Sequence, residues 1–246
     1  MNIELNKFGL DSTNITQLDH RTYVIKKWNW EYSLAHGFQK EALLYLQEFP
    51  QTRFLIYCNH PRVLTNGRGL QRPRKGQTLN LVEFKSSDYP RLPFPLHQIE
   101  RGGGLTFHHP GQFIFYPIIK LNPKTLSLSK MIDDIFNFSI AVLENWGIQN
   151  LSHSNELLGI WHENKKLASM GIAIEKLTTY HGMALNLYLD LEMRTALNIL
   201  NPCGLSADTY ISAEELISLP DDALETFYNE FIKKIATTWT ELPSHP

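Results

Sequence analysis

Two strongly apolar runs, at 54–58 and 113–119, constrain the fold of this chain more than any other feature. A continuous apolar run of this length is typical of a β-strand that is covered on both faces. Strand patterns and helix patterns alternate along the whole chain, and no linker rich in Pro, Gly or Ser divides them. We therefore predict one α/β (α+β) domain that covers residues 1–246. Amphipathic helices are expected over 31–48, 127–145 and 221–240.

The composition excludes several classes of protein. The chain has 23 basic and 25 acidic residues and a formal net charge of −2, which argues against a general nucleic-acid binder. Two cysteines cannot form a disulfide framework, and no His/Cys cluster has the spacing of a zinc site. No apolar run reaches membrane-spanning length, and no signal peptide is visible. We expect a cytoplasmic protein that needs no cofactor and no metal.

Two glycine-bearing segments, 60–69 and 101–112, are predicted to be loops. The second begins with Arg101 and continues with three consecutive glycines, Gly102, Gly103 and Gly104. Glycines without side chains let a ligand approach the main chain, whose N–H groups could stabilise an oxyanion. Arg101 could supply charge and His108 a hydrogen bond or a proton. The alternative interpretation is a flexible glycine loop. It is not a phosphate-binding loop of the Walker type, because no Gly-Lys-Ser/Thr follows.

A β-hairpin is predicted from the apolar stretches 157–162 and 167–174, which a polar turn joins. Lys166 stands at the start of the second strand. A lysine at this position is usually a solvated turn residue. If the strand directs Lys166 inward, it becomes a buried cation, which is costly unless the protein uses it. Another strand is expected over 181–189.

The sequence Asn201-Pro202-Cys203-Gly204 is predicted to be a turn that contains one of the two cysteines. Pro202 before the cysteine fixes the backbone, and Gly204 after it permits a tight turn. Cys203 is either a small structural cysteine or a nucleophile that an incoming ester can reach. The other cysteine, Cys58, lies inside an apolar run and is interpreted as core.

A basic stretch holds Arg68, Arg72, Arg74 and Lys75. Such a stretch is usually a solvated loop, and the sharper interpretation is a docking surface for an acidic partner.

Five motifs occur in order along the chain. They are His60-Pro-x-Val63-x-Thr65-x-Gly67, Arg101-Gly-Gly-x-x-Thr106-Phe-His108-x-Pro110-Gly111-Gln112, Lys166-Leu-Ala-Ser169-Met-Gly171, His181-Gly182-Met183-Ala184-Leu185-Asn186 and Asn201-Pro-Cys203-Gly204. Together they resemble the lipoyl(octanoyl) transferases of lipoic-acid synthesis. The resemblance covers about 30–217, and the five motifs together are far more specific than any one alone.

The resemblance implies an enzyme that moves an octanoyl group from acyl carrier protein to a lysine of a lipoyl domain. The acceptors would be the lipoyl domains of 2-oxoacid dehydrogenase complexes and the glycine-cleavage H protein. It also implies a single mixed β-sheet flanked by helices, like the catalytic domain of biotin and lipoate protein ligases. Neither a nucleic acid nor a membrane is implied as a partner.

By the same resemblance, Cys203 would carry the acyl group as a thioester and Lys166 would lower the pKa of its thiol. The implied acyl-binding residues come from three motifs: Arg101, Gly102, Gly103, Gly104, Leu105, Thr106, Phe107 and His108, then Ser169, Met170 and Gly171, then Gly182, Met183 and Ala184. Two residues depart from the family pattern. His109 replaces a small residue and Gly104 a larger one, which leaves the pocket shape and the preferred chain length open.

Three alternatives stay open. An ATP-dependent lipoate or biotin ligase of the same fold would not need Cys203. A thioester hydrolase could pair Cys203 with His108 or His181 and lose the acyl group to water. A binding module could hold lipoyl domains without catalysis, although it would need neither Lys166 nor Cys203.

Overall fold

The computed structural model describes residues 2–69, 92, 94–154, 157–200 and 207–239. Its central feature is an eight-stranded mixed sheet in the order β1-β2-β3-β7-β11-β10-β9-β8. β2 and β3 run parallel, and the other neighbouring strands of this sheet run antiparallel. The strands are β1 (Ile15–Gln17), β2 (Thr22–Lys27), β3 (Arg53–Cys58), β7 (Gln112–Ile119), β8 (Leu151–Ser154), β9 (Gly159–His162), β10 (Lys165–Glu175) and β11 (Thr178–Asn186).

Helices cover both faces of this sheet. The helices are α1 (Tyr32–Glu48), α2 (Leu128–Asn145), α3 (Leu191–Leu200) and α4 (Ala223–Trp239). Apolar residues of α1 pack on one face, and those of α2 and α4 pack together on the other. The expected helices at 31–48, 127–145 and 221–240 are thus confirmed to within a few residues, as is the mixed α+β fold.

The central strand β3 shows why its sequence is continuously apolar. Phe54, Ile56 and Cys58 face the α1 layer, whereas Leu55 and Tyr57 face the layer of α2 and α4. All five residues are buried, because successive side chains of a strand point to opposite faces and both faces are covered. Cys58 is core, as predicted.

A smaller sheet corrects the two predicted glycine loops. β4 (Val63–Asn66) lies between β5 (Leu96–Gln98) and β6 (Leu105–His108). The segments 60–69 and 101–112 were expected to be loops throughout, but each contains a strand. Their strands pair with each other, antiparallel, and α3 packs its apolar residues against this sheet. Only a long-range partner makes such short, glycine-flanked runs into strands.

The remaining predicted elements agree with the structure in type. The predicted hairpin is β9 and β10, and the strand expected at 181–189 is β11, shifted towards the N-terminus. Within the described residues, no helix is both long enough and apolar enough to cross a membrane.

Candidate active site

A cavity lies between β6 of the small sheet and β10 and β11 of the large one. Three of the predicted motifs meet there. The motif residues that line the cavity are Arg101, Gly102, Gly103, Gly104, Thr106, His108, Lys166, Ser169, Met170, Gly171, Gly182, Met183 and Ala184. His181, which begins the fourth motif, also lines the cavity, and the other lining residues are Tyr32, Tyr116, Leu157, Leu158 and Tyr210.

Arg101 is held rigidly at the cavity wall. Its side chain is buried, and Nη2 donates to both the carbonyl oxygen and Oγ1 of Thr65, each at 2.8 Å. Nη1 donates to the carbonyl oxygen of Gly102 at 3.0 Å. A buried cation is tolerated only when its donors are satisfied in this way. Arg101 therefore fixes the wall of the cavity and is not a mobile arm.

A chain of hydrogen bonds runs from this arginine across the site. Thr65 Oγ1 lies 3.2 Å from His108 Nε2, and His108 Nδ1 lies 3.2 Å from Gln112 Oε1. Gln112 Nε2 donates to Asn186 Oδ1 at 2.9 Å, and Asn186 Nδ2 donates to the carbonyl oxygen of Ile211 at 3.2 Å. The network ties both sheets to the chain that follows α3.

His108 serves this network with both ring nitrogens. Burial, with neighbouring positive groups, lowers the pKa of His108 well below its ordinary value. A neutral, fully engaged imidazole positions its neighbours. Of the two roles predicted for His108, the geometry favours the hydrogen bond over proton donation.

Lys166 is directed inward, so it is the buried cation that the sequence left as one of two possibilities. Only 8% of Lys166 is exposed, and its Nζ lies 5.4 Å from the ring centroid of Trp161. An irregularity in the pairing of β10 with β9 falls between Lys166 and Ala168. The segment that follows α3 in the sequence also contacts Lys166. Tyr210 forms an isolated β-bridge with Lys166, and the amide of Ile211 donates to the Lys166 carbonyl oxygen.

Two glycines that face each other across β10 and β11 let the walls approach closely. Gly171 pairs with Gly182 in the register of the two strands. A Cβ on Gly171 would lie 2.9 Å from Arg101 Cδ, and a Cβ on Gly182 would lie 2.1 Å from the carbonyl oxygen of Phe115. The second contact is with backbone, which cannot move aside. The Gly182 motif is therefore required by strand packing as well as by the cavity.

The amide of Gly102 is already used. It donates to the carbonyl oxygen of Ile172 at 3.2 Å. The carbonyl oxygens of Arg101, Gly103 and Gly104 accept hydrogen bonds from the amides at 67–69. The expectation that glycine-loop amides stabilise an oxyanion therefore does not extend to Gly102.

Two residues of the glycine motif lie away from this cavity. Leu105 and Phe107 pack with Leu64, Met193 and Ala196 beneath α3. Side chains alternate along β6, so Leu105 and Phe107 point to one side of the strand and Thr106 and His108 point to the other. Phe107 lines a smaller cavity that it shares with Ser169 and Ala184.

The two departures from the family pattern fall in different places. Gly104 lines the main cavity. His109 is buried outside it, with Nδ1 3.8 Å from Asp190 Oδ2 at the start of α3. The His109 departure therefore bears on the packing of α3, and the Gly104 departure bears on the cavity wall.

Several lining residues were not predicted as site residues. Tyr32 and Tyr116 are buried phenols, and Tyr210 follows the cysteine motif. Tyr32 occupies the buried side of α1, where a helical period indicates only core. Thr65 belongs to the first motif, but nothing in the sequence indicated that it accepts hydrogen bonds from Arg101.

The remaining predicted site residue, Cys203, lies outside the described residues together with Asn201, Pro202 and Gly204. Of the basic stretch, the described part contains Arg68, which is exposed, whereas Arg72, Arg74 and Lys75 lie outside it.

Comparison with known proteins identifies the family. Residues 31–236 match the lipoyl protein ligase A/B catalytic domain. A chloroplastic octanoyltransferase of Arabidopsis thaliana is 36% identical over 181 residues, which are 73% of this chain and 59% of that protein. An octanoyltransferase of Syntrophobacter fumaroxidans is 32% identical over 189 residues, covering 76% of this chain and 77% of the relative.

Solved structures share the fold at low sequence identity. A Plasmodium falciparum protein, LipL1 in complex with lipoate, superposes with a TM-score of 0.61 at 14% identity, covering 91% of this chain and 65% of the other. A lipoate-protein ligase A bound with ATP gives a TM-score of 0.60 at 13% identity, covering 92% and 87%. At this identity the likeness concerns the fold alone.

The chain belongs to the lipoyl protein ligase A/B catalytic-domain family. Within that family it belongs with the octanoyltransferases, so it is an acyltransferase.

Proposed function

We propose that this enzyme transfers an octanoyl group from acyl carrier protein to a lysine of lipoyl domains, through a thioester on Cys203. The observation that carries the proposal is the buried Lys166 in the wall of a cavity formed by the three motif segments. The octanoyltransferase relatives support the acyl group, and the match to the lipoyl protein ligase A/B catalytic domain supports a lipoyl domain as the acceptor.

The cavity suits an acyl chain beside a reacting group. Apolar side chains of Leu157, Leu158, Met170 and Met183 contribute to its lining, and the glycines at 102–104 expose the main chain. Most pockets for small apolar ligands combine such an apolar lining with a few fixed polar groups. Lys166 is one of these polar groups, and the burial of an ammonium group is costly unless the protein uses it.

The position of Tyr210 supports a role for the cysteine segment at this cavity. Tyr210 follows Cys203 in the sequence by only a few residues, and it lines the cavity beside Lys166. A thiol near an ammonium group has a lowered pKa, because the cation stabilises the thiolate. We propose that Lys166 acts on Cys203 in this way.

The chemistry then proceeds in two balanced steps. The Cys203 thiolate attacks the carbonyl carbon of the acyl carrier thioester, the old C–S bond breaks, and the carrier leaves as a thiol after it takes up a proton. The amine of the acceptor lysine next attacks the acyl-enzyme, a C–N bond forms, and the C–S bond to Cys203 breaks. The amine loses a proton in this step, and we propose that Lys166 receives it as a neutral amine, having given its own proton to the departing carrier thiolate in the first step.

The two histidines weighed for a hydrolase are poorly suited to act as bases. His108 uses both ring nitrogens in the network, and burial lowers the pKa of both His108 and His181 well below the ordinary value. A base must be able to take and release a proton near the working pH. This geometry favours transfer over hydrolysis.

Intact-mass analysis after incubation with octanoyl carrier protein tests the intermediate. We expect one octanoyl adduct in the wild type, none in Cys203→Ala, and an unchanged adduct in Cys58→Ala. Cys58 is the matched control because it is the other cysteine and is buried in β3. An adduct that persists in Cys203→Ala would refute the thioester on this residue.

Omission of nucleotide tests the transferase against the ligase. An acyl thioester is already activated, so octanoylated lipoyl domain should form without ATP or magnesium. Free octanoate should give no product even when both are present. Strict dependence on ATP would contradict the proposal, and so would rapid deacylation of the carrier without an acylated domain.

A further inference from the structure

Three potential metal ligands from separate elements converge at one end of the cavity. His36 lies on α1, Glu100 immediately precedes Arg101, and His181 lies on β11. Glu100 Oε2 is 3.3 Å from His36 Nε2 and 3.9 Å from His181 Nε2. One ligand atom from each residue lies within 4.8 Å of the other two.

The same three atoms are buried without a hydrogen-bond partner among the described residues. They are His36 Nε2, Glu100 Oε2 and His181 Nε2. The His36–Glu100 pair is close in distance, but it does not meet the geometry of a hydrogen bond. Leaving a buried polar atom unsatisfied is costly, so three at one point require an explanation.

The surrounding contacts orient these ligands. Lys40 Nζ lies 2.9 Å from Glu100 Oε1, which holds the carboxylate by one oxygen and leaves Oε2 directed at the histidines. The amide of His181 donates to Gln39 Oε1 at 2.8 Å, and His181 has a φ of 59°, in the left-handed region that residues with a side chain rarely adopt. The Lys40 contact is of the kind that holds a ligating carboxylate in metal sites.

We propose that His36, Glu100 and His181 form a binding site for a divalent transition metal ion of the zinc type. Two imidazoles and one carboxylate are a ligand set that Zn²⁺ takes in proteins, with a fourth position left open. The side chain of His181 lines the substrate cavity, so the ion would lie at the cavity wall.

The charges around the site agree with binding of moderate strength. An imidazole binds a metal through the lone pair of a neutral ring, and burial, which lowers the pKa of both His36 and His181, favours that form. The positive charges of Lys40 and Arg101 lie near these rings and oppose a dication. The single carboxylate compensates only part of that repulsion.

Titration of the metal-free enzyme with Zn²⁺ by calorimetry tests the site. We expect one ion to bind per chain, and His36→Ala and Glu100→Gln each to weaken binding by at least about tenfold. His20→Ala is the matched control, because His20 is exposed and belongs to no cluster of potential metal ligands in the described part of the chain. Circular dichroism before zinc is added verifies that each variant is folded.

The visible absorption spectrum of bound Co²⁺ distinguishes this site from a site that uses a cysteine thiolate as a ligand. This spectrum should show nitrogen and oxygen ligands without a thiolate charge-transfer band, and Cys203→Ser should leave the spectrum unchanged. Binding that survives both His36→Ala and Glu100→Gln would overturn the proposal, as would a thiolate band or the absence of stoichiometric binding. The result does not depend on whether octanoyl transfer occurs.

Discussion

Acidification should destabilise this protein through a histidine in its core, His60. The side chain of His60 is fully buried, with Nδ1 2.6 Å from the carbonyl oxygen of Trp30 and Nε2 3.0 Å from the Tyr116 hydroxyl. A carbonyl oxygen can only accept, so Nδ1 carries the proton and Nε2 accepts from Tyr116. A second proton on Nε2 would force the Tyr116 hydroxyl to change from donor to acceptor and would bury a charge.

The magnitude follows from the shift in pKa. Burial lowers the pKa of His60 from 6.5 to about 4. Because the native pKa lies below the unfolded one, the unfolded state binds more protons between these values. The contribution of His60 to stability is therefore complete above about pH 6.5 and is lost as the pH falls towards about 4. Between about pH 7.5 and about pH 5 the free energy of unfolding should fall by about 2 kcal/mol from this residue alone.

Urea unfolding at the two pH values measures this contribution. Other buried histidines titrate as well, so the informative quantity is the difference between variants. His60→Gln should be less stable than the wild type at about pH 7.5, but its loss on acidification should be smaller by about 2 kcal/mol, because glutamine does not titrate. His20→Gln, at an exposed position, should behave as the wild type does. Equal pH dependence in His60→Gln and the wild type would refute the reasoning.

Three further predictions concern the site. Thr65→Val removes the hydroxyl that accepts from Arg101 and should lower the free energy of unfolding by about 2 kcal/mol in urea, whereas Thr195→Val, on an exposed helix surface, should change it by less than about 0.5 kcal/mol. Lys166→Ala should shift the alkylation profile of Cys203 to higher pH, and Lys165→Ala, its exposed neighbour, should not; an unchanged profile in Lys166→Ala would assign that lysine another role. Changing Arg72 and Arg74 to Ala should raise the Michaelis constant for acyl carrier protein at low salt and have little effect at high salt, while a small thioester donor is used as before; an equal loss with the small donor would contradict a docking role.

The elements that the sequence predicted well are those whose neighbours cover them uniformly. The run at 54–58 is buried on both faces, so its pattern is the same whichever helix lies above it. The helices α1, α2 and α4 each present one apolar stripe to the sheet. Local periodicity is sufficient for such elements because burial alone sets their pattern.

The small sheet could not be predicted in this way. β4 and β6 have four residues each, and both lie beside glycines. Their strand character comes from pairing with each other across about 40 positions of sequence, which is a contact that no local pattern encodes. Only once β6 is recognised as a strand does its alternation place Leu105 and Phe107 beneath α3, on the side opposite to Thr106 and His108.

Gly159 shows how a site can depend on a residue that carries no chemistry. A Cβ there would lie 2.2 Å from the carbonyl oxygen of Ala168 and 2.6 Å from Lys166 Cε. The inward path of the lysine therefore exists because the neighbouring strand has no side chain at that point. In the sequence, Gly159 is a residue of the predicted strand 157–162 and was assigned no role of its own. The motif around Lys166 indicated this lysine as a candidate site residue, but β9 makes the space in which it is buried. That relation becomes visible only when the register of the two strands is known.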